Sequence, residues 1–547
     1  MSNKDKAQLN FTEAYKKLNE QQKKAVDTID GPVMVIAGPG TGKTQILSAR
    51  VGKILIETDT LPENILCLTY TDAGTIAMRK RLLSFIGSDA YRVNIHTFHS
   101  FCNDVIQENL SLFEKTSLDP ISELERTELM KELIDAFPKN HPFKRYRGDV
   151  YFEINNLHQL FSTMKREGWT PELIEQKIDA FINDLPNRDE YIAKRAVKEF
   201  KKGDVRTDKI EDEKLKMEKL RAAVKEFNGF QQLMRRRNRY DFDDMINWVI
   251  KAFEENPNLL LRYQEQYLYI MVDEYQDTSG TQNKIVELLI NYWDKPNVFV
   301  VGDDDQSIFR FQGANMNSII EFKDKYQPKE IVLTENYRSS QVILDSASKL
   351  IENNLDRLSH KYPDLDKNLT EHRSVKPEFS PEPQFLAYQN FVQEEAGIIE
   401  KIISLNNQGV AWKDIAIIYS KHRVVEDMVK YLTQKKIPLN VRKRVNVLYE
   451  PEVEKLLKIL EYINIESKRP HYAEDILFEI LHYHFWELDP YDIAMIALKC
   501  RHKDENNTED DRYIKWRDAL SSDIILKEAN VRYPGKIKAV ALIIESW

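Results

Sequence analysis

The most explicit chemistry in the chain begins with VMVIAGPGTGKT, Val33–Thr44. An apolar run enters a turn carrying Gly38, Gly40 and Gly42, and an amphipathic segment through Ile46, Leu47, Val51, Ile54 and Leu55 leaves it. Such a strand–turn–helix lets backbone N–H groups close around phosphate oxygens, and the helix start adds the positive end of its dipole. Ala37, Gly38, Pro39, Gly40, Thr41 and Gly42 form the cradle. Lys43 is placed for the β- and γ-phosphates, and the Thr44 hydroxyl for Mg²⁺. Ala37 stands where the strict pattern has its first glycine, so the match is to the looser form.

YIMVDEYQDTS (Tyr269–Ser279) supplies the complement. Its apolar run delivers Asp273 and Glu274 at the C-terminal end of a strand, where parallel sheets bind ligands. Asp273 suits Mg²⁺, and Glu274 is placed to orient or deprotonate an attacking water. Together the two segments point to hydrolysis of ATP, with ATP and Mg²⁺ as cofactors. A third cluster, VVGDDDQSIFRFQGA (Val300–Ala314), offers Gln306 at a strand end as a γ-phosphate sensor. Phe309 and Phe311 read either as stacking faces or as core packing. The acidic run Asp303–Asp305 reads as solvated and capping.

These residues need a parallel α/β scaffold. Short apolar runs at Val33–Ala37, Ile65–Tyr70, Tyr269–Val272 and Val298–Val301, bounded by turn residues, predict the strands of one such sheet. A second set begins near Ile331–Leu333 and includes Ile415–Tyr419. Far more chain separates Lys43 from Asp273 than adjacent βα units require. The stretch from Asn103 to Arg239, charged and helical in periodicity, is therefore inserted into the nucleotide-binding domain. The Pro-bearing stretch Lys361–Gln384 reads as a long surface loop, and Lys503–Asp511 as another. The basic runs Arg235–Arg239 and Arg442–Arg444 read as solvated faces rather than backbone contacts for nucleic acid.

The composition excludes several classes. Of 547 residues, 42% are hydrophobic and 31% charged, which fits a folded soluble chain of several domains. Three scattered cysteines cannot build a disulfide framework or a four-cysteine zinc site. The polar N-terminus has no signal-peptide core and no apolar run is membrane-sized, so a cytoplasmic protein without membrane contact is expected. A formal net charge of −9 announces no nucleic-acid partner, yet it leaves room for a local basic channel.

The ordered series of segments resembles the UvrD/PcrA/Rep-type superfamily 1 DNA helicases, over most of the chain to about Glu466. LNEQQKKAV (Leu18–Val26) is similar to the family's adenine-reading motif and places Gln22 on the adenine edge. TYTDAGTIAMRKRL (Thr69–Leu82) and HTFHSF (His96–Phe101) resemble its DNA-contacting motifs. DFDDM (Asp241–Met245) is similar to the segment where the chain re-enters the motor, and LTENYRSS (Leu333–Ser340) to the fourth motif. The resemblance implies that Lys43, Thr44, Asp273, Glu274 and Gln306 form the hydrolytic centre. It implies that Tyr337 stacks on adenine and that Arg338 acts as an arginine finger. Tyr70, Phe309 and Phe311 would hold splayed bases of single-stranded DNA, and Thr69, Thr97 and His99 would follow its backbone. Gln45 and Asp72 depart from the family, which commonly has Arg and Asn there.

The implied architecture is α/β, with RecA-like P-loop motor domains carrying helical insertion subdomains. Residues 1–105 and 240–330 form the first motor domain, 106–239 its inserted helical subdomain, 331–465 the first part of a second motor domain, and 466–547 the start of a second insertion. The family's fifth and sixth motifs are not recognisable between Ala411 and Trp547, so the expectation is a C-terminally incomplete chain that hydrolyses ATP poorly. The implied function is an ATP-dependent 3′-to-5′ helicase or translocase acting on single-stranded DNA and single-/double-strand junctions. Two alternatives stand beside it. One is the helicase module of a RecB-like helicase-nuclease. The other is a non-hydrolysing ATP- and DNA-binding subunit completed by a protein partner.

Overall fold

The computed structural model describes residues 11–113, 119–193, 195, 201–308, 317–373, 382–441, 447–501 and 514–547. Six parallel strands carry the site: β1 (Val33–Ala37), β2 (Ile65–Thr69), β3 (Asn94–Thr97), β4 (Tyr269–Val272), β5 (Val298–Gly302) and β6 (Lys329–Leu333). Their order is β3-β2-β4-β5-β1-β6. Every residue of β1, β2, β4 and β5 is buried, as expected of strands covered on both faces. Period-two alternation splits their side chains between two cores. Met34, Ile36, Leu66, Leu68, Ile270, Val272 and Val300 face one, and Val33, Val35, Ile65, Cys67, Met271, Phe299 and Val301 the other.

The second core also holds Arg50, which is 1% exposed. Its guanidinium donates to the carbonyls of Ala25, Thr28 and Ile29 and lies 4.3 Å from the Phe299 ring centroid. Those contacts satisfy a charge that burial pushes down to about 9.

Between Asp119–Pro120 and Arg239–Tyr240 the described residues form five α-helices, Glu123–Ala136, Ile154–Glu167, Pro171–Asp184, Thr207–Lys225 and Phe227–Arg236. Leu129, Leu133, Phe161, Met164, Val224 and Phe230 give this region its own core. Asp119–Pro120 pairs with Arg239–Tyr240 where the chain departs and returns, so a short ladder fastens the two ends together. The basic run there is partly neutralised: Arg237 pairs with Glu132 at 2.8 Å and Arg239 with Glu125 at 2.9 Å.

Two sheet expectations require correction. Ile331–Leu333 does not open a second sheet but lies in β6, the edge of the first, with Ile331 opposite Val35 and Leu333 opposite Ala37. The Ile415–Tyr419 run forms no strand. It has the alternation, but a strand persists only with a paired neighbour, and Ile418 stands 95% exposed.

The chain divides into two compact units, Met1–Gln384 and Phe385–Trp547. Among its described residues the second unit contains helices and no strand. Leu477, Ile480, Ile493, Ile496, Leu520 and Ile537 centre its main core. Arg442–Arg444 and Lys503–Asp511 lie outside the described residues. Among the described residues no helix is long and apolar enough to cross a membrane.

Candidate functional site

The phosphate loop joins β1 to the helix Lys43–Glu57, whose N-cap Gly42 has φ +92°. Gly40 has φ +74°, and a Cβ there would lie 2.8 Å from both Arg338 Cβ and Asn336 Nδ2. Glycine is thus required twice at Gly40, for its backbone region and for the close approach. Ala37 and Gly38 are buried and Pro39 is exposed. The Thr41 hydroxyl donates to the Gly38 carbonyl at 2.8 Å and closes the loop on itself.

Gln22 grips this loop from the helix Glu20–Asp27. Its Nε2 donates to the Thr41 carbonyl at 2.9 Å, while its Oε1 accepts the Asn19 N–H at 3.1 Å. The Asn19 side chain accepts the Gln22 N–H at 2.7 Å, so the pair forms a reciprocal capping box. Asn19 also donates to the Tyr337 hydroxyl at 2.9 Å, and that hydroxyl donates to Glu335 at 2.7 Å. Tyr337 remains 42% exposed, leaving its ring face open beside the loop. Gln45 and the exposed Arg338 flank the same loop.

At the sheet's C-terminal edge, Lys43 Nζ lies 2.6 Å from Glu274 Oε2 and 3.4 Å from Gln306 Oε1. Glu274 sits at φ +49°, in the left-handed region that non-glycine residues seldom occupy. Gln276 holds it there by donating to its carboxylate at 2.9 Å. Asp273 directly follows β4, and its carboxylate accepts the Glu274 N–H at 3.0 Å. Burial, reinforced by the Glu274 charge, pushes the Asp273 carboxyl up to about 6. Asp273 and Glu274 thus bring two carboxylates together at the strand end, one of them paired with the Lys43 ammonium, and carboxylate oxygens are the donors a hard divalent cation takes.

Three contributors here escaped the sequence reading. Asn336 is fully buried; it donates to the Pro39 carbonyl and accepts the Arg338 and Ser339 N–H groups at 2.8 and 2.7 Å. Arg357 and Lys367 are the others. Arg357 makes a two-pronged contact with Asp305 at 2.7 and 2.8 Å. Lys367 lies 3.1 Å from Asp303 and 3.0 Å from Asp305 and touches Asp304 as well. Asp303 and Asp304 are 2% and 4% exposed, so the acidic run is not solvated as expected. Its charges are matched by Arg357 and by Lys367, the latter from the stretch read as a surface loop, whose first part packs here. No local pattern in DRLSHKYPDLDKNL announces that contact. The Asn19–Gln22 capping box, by contrast, follows a recognisable spacing.

The candidate DNA-facing residues gather at the ends of β2 and β3, where Thr69 and Thr97 stand in register. Both are buried, and their hydroxyls serve local turns: Thr69 donates to the Thr71 carbonyl and Thr97 accepts the Ser100 N–H. Tyr70 is half-buried, with Asp243, Asp277 and Arg166 close enough to act on its hydroxyl. His99 Nε2 lies 4.0 Å from Asp243, and burial lowers its pKa. Phe309 and Phe311 lie outside the described residues.

Sequence comparisons identify the family. Residues 18–327 match the family described as UvrD/REP helicase N-terminal domain, and residues 331–472 match that described as UvrD-like helicase C-terminal domain. The second match leaves the expected lack of second-domain motifs without support. ATP-dependent DNA helicase PcrA of Staphylococcus epidermidis (strain RP62A) is 28% identical over 420 residues, covering 75% of this chain and 49% of the relative. The protein of the same name from Staphylococcus aureus (strain Mu50) is 28% identical over 418 residues, with the same coverage of each. The chain therefore spans about half the length of these curated relatives. A parallel sheet of this strand order, the phosphate loop, the acidic strand end and a family match across more than half the residues place the chain in the UvrD/REP helicase family.

Proposed function

We propose that the protein is an ATP-dependent motor that moves 3′-to-5′ on single-stranded DNA and opens single-/double-strand junctions. The observation that carries this reading is the convergence of Lys43, Glu274 and Gln306 at the C-terminal edge of the sheet, with Asp273 beside them. The relatives named ATP-dependent DNA helicase support the substrate class.

Each residue has a physical task in this reading. The loop from Ala37 to Gly42 presents N–H groups to the phosphates, and Lys43 leaves Glu274 to neutralise them. Thr44 and Asp273 would hold Mg²⁺, which supplies charge neutralisation on the phosphate oxygens. Glu274, freed from Lys43, aligns and deprotonates water, and Gln306 reports the γ-phosphate. Gln22, Gln45 and Tyr337 bound the adenine site, and Arg338 stabilises developing charge. Tyr70, Phe309 and Phe311 stack on bases and His99 lines the strand, with the buried Thr69 and Thr97 setting the turns beneath it, a sequence-tolerant mode suited to translocation. The domain partition proposed is two motor domains, at 1–105 with 240–333, so that β6 completes the first sheet, and from about 334, with a helical insertion in each; a cytoplasmic location goes with that role.

The test is ATP hydrolysis with and without single-stranded DNA, coupled to strand displacement from 3′- and 5′-tailed duplexes. DNA-stimulated turnover with opening of the 3′-tailed duplex alone is expected. Turnover indifferent to DNA, or opening of the 5′-tailed duplex alone, would overturn the proposal.

A further inference from the structure

We infer that Lys367 is a positioning residue for Gln306, fixing which end of the Gln306 amide faces Lys43; the inference rests on the hydrolytic reading above. The chain of contacts is short. Lys367 lies 3.1 Å from Asp303 Oδ1, and Asp303 Oδ2 accepts the Gln306 Nε2–H at 2.8 Å. With its amide nitrogen held there, Gln306 presents Oε1 to Lys43 at 3.4 Å. Asp303 also accepts the Asp305 N–H at 3.2 Å, and its carbonyl accepts the Gln306 N–H at 3.0 Å, so one carboxylate organises the turn.

Three carboxylates in sequence would repel one another and splay this turn. Lys367, with its side chain 6% exposed, is the cation common to all three. Arg357 secures the outermost, Asp305. Packing is a weak substitute for these ties. Asp303, Asp305 and Gln306 line a cavity of about 460 Å³ shared with Arg357, Lys367 and the phosphate-loop residues Gly38 and Pro39. A loop bordering a void is held by its polar tethers more than by contact area. The segment carrying Lys367 also reaches the phosphate loop, where Leu369 would lie 2.9 Å from a Cβ at Gly38. One short stretch thus ties the γ-phosphate sensor to the cradle.

The test is a double-variant cycle in ATP turnover using Lys367→Met, Lys367→Arg, Gln306→Ala and Lys367→Met with Gln306→Ala. Lys367→Met is expected to lower kcat roughly tenfold with KM little changed, and the double variant to be no slower than Gln306→Ala alone, as groups acting in series behave. Lys367→Arg should restore part of the loss. Wild-type kcat in Lys367→Met, or fully multiplicative losses in the double variant, would overturn the inference. If Lys367→Met does not fold, Lys367→Gln, which removes the charge but keeps a hydrogen-bond donor, enters the same cycle under the same criterion. If the wild type hydrolyses no ATP, the hydrolytic reading fails. Amide exchange at residues 303–307 then decides the tether: it must quicken in Lys367→Met relative to the protein's most protected amides, and unchanged exchange overturns it.

Discussion

Lys43 and Glu274, far apart in sequence, form a 2.6 Å ion pair that ties together the cation proposed to bind phosphate and the carboxylate proposed to activate water. Nucleotide must break this pair before either residue can serve. Glu274→Gln should therefore retain binding of a fluorescent ATP analogue while losing on the order of 10²–10⁴ in kcat, the usual contribution of a general base. Lys43→Ala should lose turnover altogether. Phosphate release measured beside analogue titration separates the two, and undiminished kcat in Glu274→Gln would remove that residue from the chemistry.

Glu167 gives a pH signature away from the nucleotide. It ends the helix Ile154–Glu167, where the dipole disfavours a negative charge, and its Oε1 is buried without a hydrogen-bond partner. Burial pushes the carboxyl from 4.5 up to about 7. The folded state therefore keeps a proton that the unfolded chain releases, so this group's contribution to stability falls as pH rises from about 4.5 to 7 and stays lost above that. Glu167→Gln should gain about 1–2 kcal/mol at pH 8, allowing for solvent screening, and nothing near pH 4. Urea midpoints at the two pH values check it, and equal shifts at both would refute the assignment.

Gly40 and Gly31 separate strain from crowding. Both have positive φ, +74° and +79°, but a Cβ at Gly31 meets nothing within 4 Å. At Gly40 it meets Asn336 and Arg338 at 2.8 Å. Gly31→Ala should cost about 1 kcal/mol, the left-handed penalty alone. Gly40→Ala should cost about 1–3 kcal/mol more, as overpacking adds, and should weaken nucleotide binding. Thermal unfolding of the two variants with and without nucleotide measures the difference, and equal losses would mean that Asn336 and Arg338 yield freely.

The unequal legibility of the site has a physical cause. Lys43, Thr44, Asp273 and Glu274 stand at the ends of strands whose apolar runs and glycines are local signals, readable within a dozen residues. The strand β6 was legible as a strand but not as a member of the first sheet, because parallel pairing with β1 is a long-range choice that no local pattern encodes. Lys367 and Asn336 were invisible for a related reason: their importance lies in partners reached through the fold, the Asp303–Asp305 turn and the Pro39 carbonyl. The acidic turn looked solvated because its cations lie beyond the next two helices, Asn317–Tyr326 and Gln341–Ile351, on the segment after Asn354.

Lys165 offers the largest single stability effect. It leaves the helix Ile154–Glu167 with its side chain 2% exposed and lies 2.6 Å from Asp241 and 2.8 Å from Asp244. Those two carboxylates form the capping box of the helix Phe242–Glu255, so one buried ammonium joins the inserted helices to the element by which the chain re-enters the motor. Lys165→Met keeps most of the side-chain volume but strands the buried Asp244 and the half-buried Asp241. Removing one partner of a buried ion pair typically costs about 3–5 kcal/mol. Adding Asp241→Asn and Asp244→Asn removes the uncompensated charges while keeping groups able to cap, and should recover most of the loss. Denaturant unfolding of the single and triple variants decides the matter. A loss below about 1 kcal/mol in Lys165→Met, in the range of exposed pairs, would show that the ammonium is dispensable at this junction.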